Sequence, residues 1–107
     1  PDFKFIESDI EAVKGLNAEK DSITRTIAVM HSRPGDEQFN NNVDKVFNLY
    51  MSQYPSLFCV NGHNHCDDVN DIFDNGIIYY GCTNMKERAY YVFKIRKDGY
   101  DFEKIDF

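Results

Sequence analysis

Three histidines are the residues of this chain best suited to chemistry, and all of them follow short apolar runs. His31 ends the run at residues 25–30, and His63 and His65 follow the run at residues 57–60. In an extended segment, residues two apart point the same way, so His63 and His65 could address one metal ion or two adjacent ions. Neutral imidazole is a preferred ligand of Zn, Fe, Ni and Cu. The pattern indicates a metal site, although a lone histidine after a strand is more often a surface or capping residue.

Two strands joined by a helix are the elements that would position these histidines. Residues 25–30 and 57–60 are short apolar runs without clean alternation, which is typical of strands buried on both faces. Between them, apolar residues over 43–54 recur at helical spacing, the asparagines at 40–42 supply N-caps, and Pro55 ends the helix. Consecutive buried strands joined by a helix are usually parallel neighbours.

The carboxyl ends of such strands lie on one edge of the sheet, where α/β sheets place their ligands. We therefore expect His31 to approach His63 and His65, although the two strand ends are more than thirty residues apart. Gly62 allows the sharp turn that the second loop would need.

The remaining elements are a first helix and a β-rich tail. Residues 8–11 (Ser-Asp-Ile-Glu) form a capping box that predicts a helix from Ser8, ending near Gly15 or fraying on to about Lys20. A hairpin is predicted between residues 68–74 and 77–82, across Asn75-Gly76.

A second hairpin is predicted between residues 90–96 and 100–107, across Asp98-Gly99. The order of helix, strand, helix, strand and several antiparallel strands predicts an α/β (α+β) fold.

Composition narrows the classes of protein. A length of 107 residues predicts a single domain, 1–107, and 42% hydrophobic residues exclude a disordered chain. The net charge of −6 argues against a general nucleic-acid or anionic-membrane binder, although a bound metal can reverse the local field. We expect no membrane span and no signal peptide. Three cysteines fit no disulfide framework, so a reduced Cys59 and a cytoplasmic location are expected.

Two motifs resemble those of a known family, the calcineurin-like metallophosphoesterases. Residues 61–65 (Asn-Gly-His-Asn-His) match the Gly-His-x-His motif of that family. Residues 29–34 (Val-Met-His-Ser-Arg-Pro) resemble the lone-histidine motif that precedes it, and residues 79–84 resemble the strand that often follows. The resemblance covers most of the chain from about residue 22 onward.

The resemblance implies a partial β-sandwich flanked by helices, with a two-metal centre that hydrolyses phosphate mono- or diesters. By motif, His31 and His63 would ligate one metal ion and His65 the other, with Mn, Fe, Zn or Ni as the metal. Such ions polarise the phosphoryl group and activate a bridging water. Arg33 could contact the substrate phosphate, the alternative being a solvated loop arginine.

The family's earlier motifs, Asp-x-His, Gly-Asp and Gly-Asn-His, have no counterpart in this chain; Gly35-Asp36 is in the wrong place for the second. The resemblance therefore implies only the C-terminal half of the domain, inactive without an N-terminal half from a longer chain or a separate polypeptide. An apolar sheet edge or face is expected where that half belongs, and such a face would also promote homo-oligomer formation.

Two other classes of function fit the same residues. One is a non-catalytic remnant or interaction module that binds one metal ion or none. The other is a small zinc-binding structural module held by His31, His63, His65 and Cys66. Four nearby aspartates (67, 68, 71 and 74) are interpreted as a solvated strand edge, or as outer hydrogen-bond partners of the metal ligands.

Overall fold

The parallel pairing expected for the two histidine-bearing strands is present in the computed structural model, which describes residues 1–20, 23–55, 57–63, 68–83 and 85–107. Over these residues the protein is a mixed α+β fold with two helices and two sheets, apart from short 3-10 turns at Asn41–Val43 and Met85–Glu87. In chain order the elements are α1 (Phe3–Glu19), β1 (Thr26–Met30), α2 (Asp44–Met51), β2 (Leu57–Asn61), β3 (Asp68–Asn70), β4 (Tyr79–Gly81), β5 (Ala89–Ile95) and β6 (Tyr100–Asp106).

The larger sheet has the strand order β1-β2-β4-β3. Strand β1 pairs in parallel with β2, with Met30 beside Asn61, and β2 pairs in parallel with β4. Strand β3 runs antiparallel to β4 at the far edge. The carboxyl ends of β1, β2 and β4 therefore lie along one side of the sheet, which confirms the expected placement of the first two.

Both helices cover one face of this sheet. Their buried side chains pack on the strands and form the core cluster, which contains Ile6, Ile10, Phe47, Met51, Leu57, Cys59, Ile77 and Tyr79. Burial of apolar area of this kind is the main favourable term in folding, and it fixes the helices against β2 and β4.

The hairpin of β5 and β6 covers the opposite face. Phe58 of β2 stacks on both Phe93 and Tyr100, at centroid distances of 5.1 and 4.3 Å. Tyr80 of β4 meets the ring of Phe102 at 4.6 Å. The prediction of this hairpin is confirmed, because Ile95 pairs with Tyr100 across a four-residue connection that contains Asp98-Gly99.

The prediction that β1 is buried on both faces is wrong. The strand lies at the edge of its sheet, where Ile27 is 45% exposed and Val29 is 80% exposed. The aromatic contacts of the β5–β6 hairpin reach β2 and β4, whereas β1 lies beyond them at the edge. Two apolar side chains of β1 are left open to solvent as a result.

The predicted start of α1 is also wrong. The helix begins at Phe3, where the carboxylate of Asp2 accepts a hydrogen bond from the amide of Phe5 at 3.1 Å. Aspartate caps a helix as well as serine does, and this earlier start brings Ile6 into the core. Ser8 therefore lies inside the helix, which continues past Gly15 to Glu19.

The hairpin predicted between residues 68–74 and 77–82 has antiparallel strands, as predicted, but the predicted two-residue turn is wrong. Asn70 pairs with Tyr79, so residues 71–78 form a longer loop than the two-residue turn. Inside it, the carboxylate of Asp71 accepts hydrogen bonds from the amides of Asn75 and Gly76, at 3.0 and 2.9 Å. These side-chain bonds take the place of further ladder bonds.

None of the helices formed by the described residues combines the length and apolar character needed to cross a membrane.

Candidate functional site

The structure brings His31 and His63 together at the carboxyl ends of β1 and β2. Their ring centroids are 4.8 Å apart, with the planes tilted by 58°. The amide of Gly62 donates to the carbonyl of His31 at 3.1 Å, which ties the two loops to each other. The predicted approach of these two histidines is confirmed, and His65 lies outside the described residues.

His63 adopts an unusual backbone conformation. Its φ angle is +70°, in the left-handed region that residues with a Cβ rarely occupy. Histidine is one of the side chains found there more often than others, and such conformations concentrate at functional sites. The turn aims the ring of His63 back toward His31, with its side chain only 19% exposed.

A short segment after the β1 loop supplies hydrogen-bond acceptors to both rings. The Nε2 atom of His31 lies 2.9 Å from Oε1 of Gln38. The Nε2 atom of His63 lies 3.3 Å from Oε1 of Glu37 and 3.6 Å from Oδ1 of Asp36. Both imidazoles therefore direct the same ring nitrogen toward residues 36–38.

These acceptors were not expected as part of the site, because Asp36 stands out in the sequence only in a misplaced Gly-Asp pair. The available signal is the turn at Pro34-Gly35, which reverses the chain directly after His31. Gly35 has a φ of +93°, and this reversal brings the acidic pair back beneath the histidines.

Asp36 is a buried and firmly held carboxylate. The residue is 4% exposed, and its Oδ1 accepts a hydrogen bond from the amide of Gln38 at 2.9 Å. Its own amide donates to the carbonyl of Arg33 at 3.0 Å, and its carbonyl accepts from the side chain of Asn41 at 2.9 Å. The neighbouring Glu37 is different, because 84% of its side chain is exposed.

Several buried polar atoms at the carboxyl ends of β1 and β2 have no hydrogen-bond partner. Among the described residues these are Oγ of Ser32, Nε of Arg33, Oδ2 of Asp36 and Oδ1 of Asn61, and two more, Oγ1 of Thr26 and the hydroxyl of Tyr79, lie elsewhere in the sheet. Buried polar groups are nearly always satisfied, so such atoms mark places where an ion or ordered water binds. Imidazole with carboxylate oxygen is a donor set that suits Zn, Fe, Mn or Ni.

The donors are not arranged as a closed metal cage. Within residues 1–20, 23–55, 57–63, 68–83 and 85–107, no group of three or more His, Cys, Asp or Glu side chains is placed so that it could hold a metal ion. The two imidazoles, the buried carboxylate and the unpaired atoms thus fit part of a metal centre.

Arg33 joins the site to the far edge of the sheet. Its Nη2 lies 2.7 Å from Oδ2 of Asp68, and its Nη1 donates to the carbonyl of Pro34 at 2.9 Å. The guanidinium is therefore committed to bonds within the protein, while contact with a substrate stays a prediction. Of the four aspartates noted in the sequence, Asp68 is thus an ion-pair partner near the site, and Asp67 lies outside the described residues.

Neither Cys59 nor Cys66 adds a ligand to the site in the part of the chain that the structure describes. Cys59 is free and buried on the helix-covered face, as expected. Burial raises the pKa of its thiol to about 12, so Cys59 stays protonated and unreactive at neutral pH. Cys66, the fourth ligand in the hypothesis of a zinc-binding structural module, lies outside the described residues.

A groove of about 600 Å³ runs from α1 along β1 to His31 and Ser32. Its lining includes Ile27 and Val29 from one face of β1 and Ala28 from the other, so it follows the free edge of the strand.

Comparisons with known proteins found no family model, no curated protein and no solved structure that matches the chain. The geometry of the site at the carboxyl ends of β1 and β2 is therefore the observation that bears on function.

Proposed function

We propose that this chain is the C-terminal half of a calcineurin-like metallophosphoesterase, in which His31 and His63 hold a divalent metal ion and His65 serves a second. The observation that carries the proposal is the pair of imidazoles 4.8 Å apart at the carboxyl ends of adjacent parallel strands. The positive φ of His63 and the unpaired buried atoms at the same strand ends support a ligand site rather than a chance contact.

The residues of the chain prepare the site, and bound metal supplies the chemistry. A divalent ion polarises a phosphoryl oxygen and lowers the pKa of a bound water. His31 and His63 provide neutral nitrogen ligands from two loops that the bond between Gly62 and His31 holds together. The ion pair between Arg33 and Asp68 keeps the first of these loops against β3. Substrates of this centre are phosphate mono- or diesters.

The free edge of β1 supports the proposed need for an N-terminal half. Strand β1 is paired on one side, Ile27 and Val29 are open to solvent, and the groove follows its outer edge. Unpaired strand edges with apolar side chains are sites of strand addition. The missing half would add its strands there and bring carboxylates that two close divalent ions need.

Metal binding tests the proposal directly. The purified chain is dialysed against Mn²⁺, Zn²⁺, Ni²⁺ or Fe²⁺, and bound metal is measured after buffer exchange, alongside His31→Ala and His63→Ala. We expect bound metal in the unmodified chain and a loss of at least about tenfold in affinity in each variant, because each removes an imidazole ligand. Unchanged metal content in both variants would refute the metal site, provided circular dichroism shows that they fold.

Phosphatase assays with p-nitrophenyl phosphate and its diester complete the test. We expect no metal-dependent turnover by the 107-residue chain alone, because the centre lacks the ligands of the other half. Turnover by the chain itself would contradict the half-domain proposal. Stoichiometric zinc whose removal unfolds the chain would instead favour a structural zinc module.

A further inference from the structure

We infer that Asp36 is a positioning residue that accepts the Nε2 proton of His63 and thereby presents Nδ1 as the metal-binding atom. The inference rests on the proposed metal site. It adds a carboxylate that neither the histidine motifs nor their spacing assigns.

Nε2 of His63 is directed at two carboxylates. It is hydrogen-bonded to Oε1 of Glu37 at 3.3 Å and faces Oδ1 of Asp36 at the longer distance of 3.6 Å. Ionised carboxylates accept hydrogen bonds and donate none, so they favour the tautomer with the proton on Nε2. The lone pair is then on Nδ1, the nitrogen available to a metal ion.

The two carboxylates differ in exposure and in how firmly they are held. The side chain of Glu37 is 84% exposed, so water competes for its oxygens and its rotamer is free to change. The side chain of Asp36 has no exposed area, and its carboxylate accepts a hydrogen bond from the amide of Gln38. Two further bonds, with Arg33 and Asn41, hold its main chain. Asp36 therefore determines the orientation of the ring, although Glu37 is the nearer of the two.

A buried carboxylate is costly unless charged or polar donors face it. Oδ1 of Asp36 accepts from the amide of Gln38 and faces Nε2 of His63 at 3.6 Å, whereas Oδ2 has no partner among the described residues. A metal ion on Nδ1 would make the Nε2 proton a stronger donor and would tighten the contact from 3.6 Å.

His31 shows the same orientation with a neutral acceptor. Its Nε2 lies 2.9 Å from the side-chain oxygen of Gln38, two residues beyond Asp36. The segment at residues 36–38 thus receives one ring proton from each histidine, and both Nδ1 atoms remain as ligands.

Nuclear magnetic resonance of the ring nitrogens tests the inference. The full chain is labelled with ¹⁵N and recorded above the ordinary histidine pKa, without metal and with ¹¹³Cd²⁺. We expect His63 to show the Nε2-protonated tautomer without metal, and the one-bond ¹¹³Cd coupling to appear at Nδ1. Coupling at Nε2, or a predominantly Nδ1-protonated ring in the metal-free chain, would overturn the inference.

Matched variants test the role of Asp36 itself. Asp36→Asn should weaken Zn²⁺ binding by about 10–100-fold and move the His63 nitrogen shifts toward a mixture of tautomers. Glu37→Gln removes the same charge one residue away and should change Zn²⁺ affinity by less than about twofold, since an exposed group contributes little. Equal effects of the two substitutions, or no effect of Asp36→Asn, would contradict the inference.

The outcomes separate the inference from the proposed function. If His63→Ala abolishes metal binding and Asp36→Asn does not change it, the metal site stands and the role of Asp36 fails. If the unmodified chain binds no metal, the metal site fails, and the tautomer in the metal-free chain still reports on Asp36. Should Asp36→Asn not fold, the spectra of the unmodified chain decide the matter alone.

Discussion

His63 is the residue at which backbone and chemistry are most closely linked. Its positive φ turns the ring toward His31 and over the buried carboxylate of Asp36. A residue with a Cβ in this region has a conformational cost of roughly 1–2 kcal/mol. Strained backbone of this kind concentrates at functional sites, which is consistent with the proposed role of His63.

Glycine at position 63 should therefore be more stable than alanine. Both His63→Gly and His63→Ala remove the ring, so their difference isolates the backbone. We expect the glycine variant to have the higher free energy of unfolding, by about 1 kcal/mol, in urea titrations followed by circular dichroism.

The same pair of substitutions at His31 is the control. His31 is not among the positive-φ residues, so His31→Ala should be at least as stable as His31→Gly. If His63→Ala were as stable as His63→Gly, the positive φ at position 63 would have no conformational cost.

At the scale of elements, Gly15 and Gly35 occupy different surroundings, one inside a helix and the other in a turn. Gly15 lies inside α1, and a Cβ added there would meet no other atom within 4 Å. Gly35 lies in the turn that carries Asp36, with a φ of +93°, and an added Cβ would come within 3.2 Å of Nη1 of Arg33.

Alanine at these two glycines should have opposite effects on stability. We expect Gly15→Ala to raise the free energy of unfolding by about 0.5–1 kcal/mol, because alanine is the better helix former. Gly35→Ala should lower it by about 1 kcal/mol or more, since the positive φ is retained at a cost. Chemical denaturation measures both, and effects of the same sign would contradict the assigned conformations.

Element types were predictable to the extent that their signals are local. The spacing of apolar residues in α2 and the Asp98-Gly99 turn between β5 and β6 are signals within a few neighbouring residues, so these elements were recovered from the sequence. The start of α1 was missed because Asp2 and Ser8 are equivalent capping residues locally. Only the packing of Ile6 in the core favours the earlier start.

At the scale of the whole molecule, the outer edge of β1 combines an unpaired strand edge with exposed apolar side chains. Strand β1 contains no charged residue, and charges are the usual protection of an edge strand. Its exposed Val29 lies in the groove that continues to His31. Without the proposed second half, this edge is expected to pair with another copy of the chain.

A lysine on that edge should suppress self-association. We expect the unmodified chain to associate with increasing concentration and Val29→Lys to remain monomeric, because a charge blocks edge pairing. Sedimentation velocity over a range of concentrations measures this. Leu49→Lys on α2 is the matched control, since Leu49 is also apolar and 66% exposed but lies away from the edge. Association of Val29→Lys equal to that of the unmodified chain would exclude the edge as the contact.

By itself, the sequence determined the type and order of most elements and the position of His31 and His63 just after two apolar strands. Those features depend on neighbours along the chain, and the parallel pairing of β1 with β2 follows from the helix between them. The meeting of His31 and His63 could be inferred in this way.

Only the tertiary structure decided what surrounds that pair. Burial of Asp36 depends on a turn and on contacts with Arg33 and Asn41. The exposure of β1 depends on how far the β5–β6 hairpin extends across the sheet. Neither leaves a periodic signal, because burial is set by residues remote in sequence. A carboxylate that the sequence shows only in a misplaced Gly-Asp pair thus comes to lie 3.6 Å from Nε2 of His63.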